Sequence, residues 1–181
     1  YNFMNEPTGN VTFLFTDIEG STKLAQSDHD KLHVAMEKHN TILKKAVEMN
    51  NGIVFKITGD AFCAAFTNSD DAVKSSADVQ LNIYNEDWGE FEIKVRMGIH
   101  RGSAEWSGSD YMGYITLART SRVMTSAYGG QILISDEAYE NLSEHKPDNL
   151  SFRDLGQRRL KDLIKPMKLY QIISENFPSD F

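Results

Sequence analysis

Ile53-Val54-Phe55-Lys56-Ile57-Thr58-Gly59-Asp60-Ala61-Phe62-Cys63-Ala64-Ala65-Phe66 is the stretch on which the fold turns. Ile53, Phe55 and Ile57 alternate with Val54, Lys56 and Thr58, which is the two-residue period of a strand. Gly59-Asp60 reads as a tight turn, and Ala61 to Phe66 as the returning strand. Working outward, Leu32, Ala35, Met36, His39, Leu43, Ala46 and Val47 recur at three- and four-residue steps. This spacing predicts an amphipathic helix, closed by Asn50-Asn51-Gly52. His39 falls on its apolar side and is expected to pack rather than to ligate. Further upstream, Val11 to Phe15 is a β-rich run that stops at Thr16-Asp17-Ile18-Glu19-Gly20-Ser21-Thr22, a turn leading to a helix start.

Downstream of the hairpin, Asp70 to Tyr84 predicts a second helix, with Val73, Ala77, Leu81 and Tyr84 on one face. Ile93, Val95, Met97 and Ile99 then alternate with polar or small residues, and Ser103 to Trp106 is expected to return as a hairpin partner. The order strand, helix, strand, strand, helix, strand is the βαββαβ ferredoxin-like order. It predicts an α+β domain with an antiparallel sheet and helices on one face. Additions follow: a helix from Ile115 to Tyr128, a strand from Gln131 to Ile134, and a short helix from Asp136 to Leu142 opened by Ser135. The strands Ser151 to Leu155 and Lys168 to Ile173 close the domain.

The 181 residues suit one domain, expected over 8–174 with short tails at 1–7 and 175–181. Tyr1-Asn2-Phe3 precede Met4 and read as an appended or upstream segment. A net charge of −7 argues against a general nucleic-acid or membrane-surface binder, but not against a nucleotide held by local cations and metal ions. No run approaches the ~20 apolar residues of a membrane span. There is no signal-peptide pattern. Cys63, the single cysteine, can form no intrachain disulfide and is expected in the core. A reducing, cytoplasmic setting is the simplest fit.

The chemistry concentrates at strand ends. Asp17 ends the first strand and Asp60 lies in the hairpin turn. In a βαββαβ sheet these strands are neighbours, so the two carboxylates can meet and hold two hard divalent ions. Such a pair suits in-line attack at phosphorus. Taken singly, each Asp also reads as a turn or cap residue. Gly20, Ser21 and Thr22 lead into a helix, whose backbone N–H groups favour a phosphate; Ser21 as a plain N-cap is the alternative. Lys56 stands on a polar strand face, Asp110 in the turn Ser107-Gly108-Ser109-Asp110, and Arg122 in a helix. Position alone assigns these three no role.

Taken in order, these segments resemble the class III adenylate/guanylate cyclases, from about Val11 to Ile173. Phe15-Thr16-Asp17-Ile18-Glu19-Gly20-Ser21-Thr22 is similar to the first metal motif, and Lys56-Ile57-Thr58-Gly59-Asp60 to the second. Val95-Arg96-Met97-Gly98-Ile99-His100-Arg101-Gly102 resembles the central strand motif, and Asp110-Tyr111-Met112-Gly113 the base-reading segment. Gly129-Gly130-Gln131-Ile132-Leu133-Ile134-Ser135 and Leu160-Lys161-Asp162-Leu163 resemble later signatures.

The resemblance implies conversion of ATP to cyclic AMP and pyrophosphate with two Mg²⁺ or Mn²⁺ ions. Asp17, Asp60 and the Ile18 carbonyl would hold the metals. Lys56 and Asp110 would read the adenine edge, because guanylate cyclases carry a Glu and a smaller residue there. Arg122 would stabilise transition-state charge on the α-phosphate, and Lys161 would hold the terminal phosphates. It further implies a head-to-tail homodimer with composite sites.

One departure stands out. The family places a ribose-orienting Asn four residues before the arginine, where this chain has Ala118; counting from Asp110 gives Leu117, with one extra residue near Tyr111 to Ile115. Arg119, Thr116 and Thr120 are the candidates to substitute. Besides ATP cyclisation, two readings stay open: a cyclase for another base, and a nucleotide-binding dimerisation module with little turnover.

Overall fold

The computed structural model describes residues 5–181; Tyr1-Asn2-Phe3 lie outside them. The elements run β1 (Gly9–Ile18), α1 (Ser21–Leu24), α2 (His29–Met49), β2 (Ile53–Thr58), β3 (Ala61–Phe66), α3 (Ser69–Asn85), β4 (Val95–Trp106), β5 (Tyr111–Met112), α4 (Tyr114–Thr125), β6 (Ile132–Ser135), α5 (Asp136–Glu140), β7 (Leu150–Arg158) and β8 (Met167–Ser174). The sheet order is β2-β3-β1-β4-β6-β8-β7, with β5 paired to β4. Its first four strands are the ferredoxin-like core expected from the element order.

Helix starts follow local chemistry. Asp28 caps α2 by accepting from the Lys31 N–H, Asn68 caps α3 through the Asp71 N–H, and Ser135 caps α5 through the Ala138 N–H. Helices α2 and α3 bury Leu43, Val47, Val73, Val79 and Ile83 against Leu14, Phe62, Phe66, Met97 and Ile99 of the sheet. His39 is fully buried there, edge-on to Phe62 at 5.6 Å.

Four expectations need correction. Ser103 to Trp106 does not return as a hairpin partner. β4 runs straight through it, because β1 keeps pairing as far as Gly9 opposite Ala104. The polar run Ser107–Asp110 makes the turn instead, and β5 is the partner, with Trp106 opposite Tyr111. Nor is the sheet wholly antiparallel, since β4 and β6 pair in parallel. Nor are the helices confined to one face. α4 lies on the face opposite α2 and α3, where Phe13, Phe15, Tyr111 and Met124 cluster on one side and Val123, Leu133, Leu160 and Leu169 on the other. Gly98 permits this approach, since a Cβ there would collide with the backbone of Met124. Cys63 is partly buried beside the first of these clusters rather than sealed within the core.

Candidate active site

Alternation along the strands decides which side chains share the α4 face. Asp17 follows Phe13 and Phe15 on that face, and the register sets Asp17 opposite Arg96 and Phe15 opposite both Gly98 and Cys63. Cys63 in turn pairs with Lys56 on β2. Asp17, Arg96, Lys56 and the helix carrying Arg122 therefore stand over one surface of the sheet.

Asp60 sits in the β2–β3 turn, whose Gly59 has φ of +61°. Its Oδ2 accepts from the Ile18 N–H at 2.7 Å. The hairpin turn is thus bound to the residue following Asp17, and the two expected metal aspartates come together at one end of β1. Asp17 itself is held by Arg96: Nε donates to Oδ1 at 2.7 Å and Nη2 to Oδ2 at 2.6 Å. Both side chains are partly buried, which shields this bidentate pair in part from solvent. It pushes the Arg96 pKa upward, chiefly through the hydrogen bond. Arg96 also reaches the Thr125 carbonyl at the end of α4 at 3.4 Å.

The expected base-reading pair is assembled. Lys56 Nζ lies 3.9 Å from Asp110 Oδ2, with both side chains about half exposed. Asp110 is oriented by its own turn: Oδ1 accepts from the Tyr111 N–H at 2.8 Å, and its carbonyl accepts from Ser107 N and Oγ. One carboxylate oxygen is thereby fixed and the other turned to Lys56. Beneath them, burial pushes the Cys63 thiol up to about 11, so it is no nucleophile at neutral pH.

Arg122 is set apart from these groups. Its Nη2 donates to Asp162 Oδ2 at 2.7 Å, on the connection between β7 and β8. Lys161, next along that connection, is exposed. At the other candidate phosphate site, Gly20 rather than Ser21 is the N-cap of α1, with φ 72° and no side-chain cap. Ser21 is the first helical residue, so the plain N-cap reading of it falls. Gly20 and Thr22 are exposed and Ser21 partly so. At the position of the missing asparagine, Ala118 and Leu117 are partly buried. Thr116 and Thr120 point into the sheet, with Thr116 Oγ1 donating to the Ser103 carbonyl and Thr120 Oγ1 to that of Thr116. Their hydroxyls are committed, which leaves Arg119 as the one of the three candidates with no hydrogen bond among the described residues.

Two Asp and a backbone carbonyl form an all-oxygen donor set, which fits hard divalent cations. Among the described residues no group of three or more His, Cys, Asp or Glu converges. The protein would supply few ligands and leave the rest to water and phosphate, which is the usual habit of Mg²⁺.

Sequence reading passed over Arg96 and Asp162. Arg96 was legible in principle: it alternates with Val95 and Met97 and so lies on the polar side of its strand. Its partner became visible only with the register. Asp162, at φ +61° in a loop, gave no signal.

The family model for the adenylate and guanylate cyclase catalytic domain matches residues 3–174. The chain belongs to this family. It is 31% identical over 178 residues to an uncharacterised protein of Mycobacterium tuberculosis, covering 95% of this chain and 60% of that protein. A receptor-type adenylate cyclase of Trypanosoma brucei brucei is 28% identical over 210 residues, covering 92% of this chain and 17% of the relative. The chain thus spans less than two thirds of the length of these relatives. Among solved structures, an adenylate cyclase of Trypanosoma brucei in its monomeric state superposes with a TM-score of 0.85 at 26% identity, covering 98% of this chain and 93% of that one. The adenylyl cyclase CyaB of P. aeruginosa shares the fold, with a TM-score of 0.79 at 21% identity over 94% of this chain and 97% of the other. No helix among the described residues is long and apolar enough to cross a membrane.

Proposed function

We propose that this nucleotide cyclase domain uses ATP and forms 3',5'-cyclic AMP and pyrophosphate. The observation that carries the choice of base is the Lys56–Asp110 pair, a donor and an acceptor 3.9 Å apart on the sheet face that also bears Asp17. A cation beside a ring nitrogen and a carboxylate for the exocyclic amine complement adenine. Guanine, with a carbonyl at that position, would leave Asp110 unpaired, which is costly discrimination. The resemblance to trypanosomal adenylate cyclases supports the same base.

In this reading Asp17, Asp60 and the Ile18 carbonyl hold two divalent cations. When bound, the cations activate the ribose 3'-hydroxyl and neutralise the polyphosphate. Arg96, already on Asp17, adds a fixed cation beside the same carboxylate. Arg122 supplies a guanidinium for charge on the α-phosphate once it leaves Asp162. Gly20, Ser21, Thr22 and Lys161 are the candidate phosphate contacts. The domain works as a head-to-tail homodimer. Met112, Tyr114 and Ile115, which are 65%, 86% and 66% exposed on consecutive elements, offer an apolar surface for a second copy. The setting is cytoplasmic.

A cyclase for another base is the second reading, since the altered α4 segment can reshape the pocket even with Lys56 and Asp110 kept; Ala118 in place of the ribose-orienting asparagine favours instead a nucleotide-binding module with little turnover. Purified protein is incubated with each of the four nucleoside triphosphates and Mn²⁺, and products are identified by mass. Cyclic AMP as the principal product is expected. A different cyclic nucleotide would transfer support to the second reading, and nucleotide binding without product to a binding module. Lys56→Glu should lower ATP turnover by ~10-fold or more while sparing GTP; equal loss on every base would remove Lys56 from base reading.

A further inference from the structure

A cavity of about 670 Å³ lies beside α4, over β6, β8 and β7, on the side away from Lys56 and Asp110. Its volume falls in the range of small-molecule sites, about 300–1,000 Å³. The floor is apolar, made of Leu133, Leu155, Leu160 and Leu169. The wall carries three guanidinium groups, Arg153, Arg158 and Arg159. In a chain of net charge −7 such a cluster is out of character. Arg158 and Arg159 have no side-chain hydrogen bond or carboxylate partner among the described residues. Arg153 has only Asp180, at 4.0 Å.

Asp180 belongs to the segment after β8, which returns over the cavity. Phe177 of that segment is buried in the domain core, Gln171 Nε2 donates to the Ser179 carbonyl at 2.8 Å, and Phe181 stacks on Tyr128 with rings 6.3 Å apart and 2° from parallel. Residues 178–181 thus form a roof held by one hydrogen bond and one stack, and its exposed Asp180 carboxylate approaches Arg153 at the rim of the cavity.

We propose that this cavity binds a small anion with an apolar body, its phosphate or carboxylate head on Arg153, Arg158 and Arg159 and its body on the leucine floor, in competition with Asp180. Guanidinium groups pair with either head through charge-assisted hydrogen bonds, and the floor gains by being covered. The site is separate from the base-reading pair and needs no turnover to be occupied.

The test is calorimetric titration of the whole chain, without metal or nucleotide, with phenyl phosphate and with phenylacetate. The two probes distinguish a phosphate head from a carboxylate head. Saturable one-to-one binding of at least one probe is expected. The double variant Arg158→Ala/Arg159→Ala should weaken it ~10-fold or more; both side chains are exposed, so the fold should persist, as circular dichroism would verify. Asp180→Asn should tighten binding a few-fold, whereas the remote exposed change Glu48→Gln should not, which separates direct competition from general charge. Arg122→Ala should leave the affinity unchanged. No heat with either probe would overturn the proposal, as would full affinity in the double variant or loss in Arg122→Ala. Because the readout is binding alone, its failure leaves the cyclase reading standing, and failure of the cyclase assay leaves this one.

Discussion

Asp17 is tied to a guanidinium, and the residue after it, Ile18, donates its N–H to the Asp60 carboxylate. Asp17→Ala should reduce cyclic nucleotide formation by more than ~100-fold, beyond the usual cost of losing a group that merely orients a ligand; initial rates in Mn²⁺ measure this. Undiminished turnover would remove Asp17 from the metal site. His100 gives a second test, of stability rather than rate. It is 2% exposed, accepts or donates a 2.7 Å bond with Ser135 Oγ, and has its pKa lowered from 6.5 to about 4 by burial and then by the nearby Arg119. The folded-state value lies below the unfolded one, so the unfolded chain takes up the proton first as pH falls. Stability from this residue is therefore complete above pH 6.5 and is lost between 6.5 and 4, by roughly 3 kcal/mol. Burial lowers the pKa of His39 as well, in the same direction. Urea midpoints at pH 7.5 and 4.5 should differ more in the native protein than in His100→Gln; equal differences would mean that His100 does not carry the effect. Of these residues, Asp17, Asp60, Lys56, Asp110 and Arg122 were legible from the sequence as a set. Arg96 and Asp162 were not, because an ion pair across 79 or 40 residues has no local signature.

Among the elements, α4 does most to shape the site, since it carries Arg122 and splits its face of the sheet into two apolar clusters. Its seat depends on Gly98, where any side chain would meet the Met124 backbone. Gly98→Ala should destabilise the fold by ~1–3 kcal/mol, as overpacked cores do, and lower turnover by displacing Arg122; a thermal melt alongside initial rates reads both. A stable and fully active variant would mean that α4 has room to shift. The helical and strand periods placed α2, α3, β2 and β3 well. They failed at β4, because a strand that continues past Gly102 and one that turns there have the same local pattern. Pairing with β1 makes the difference.

For the whole molecule, Arg122 is paired with Asp162 and Lys56 with Asp110, while Asp60 is bound at the Ile18 N–H beside Asp17. A composite site across a dimer gives each chain both halves to contribute. If so, Asp17→Ala and Arg122→Ala chains should each be inactive alone and regain activity when mixed. Equal, freely exchanging chains would form half heterodimers with one intact site each, about one quarter of native activity by C₂ symmetry. No recovery after verified subunit exchange would place the whole site within one chain.

The sequence by itself determined the element order, the ferredoxin-like core and the residue types at the candidate site. Hydrophobic period and turn chemistry act over a few residues and are written locally. Only the tertiary structure decided that α4 covers the second face, that β6 runs parallel to β4, and that Asp17 meets Arg96 while Arg122 meets Asp162. Those outcomes depend on strand register and on how closely two backbones approach at Gly98. Such contacts join residues far apart in the chain, and the free energy of forming them is shared among many side chains rather than stored in any one stretch.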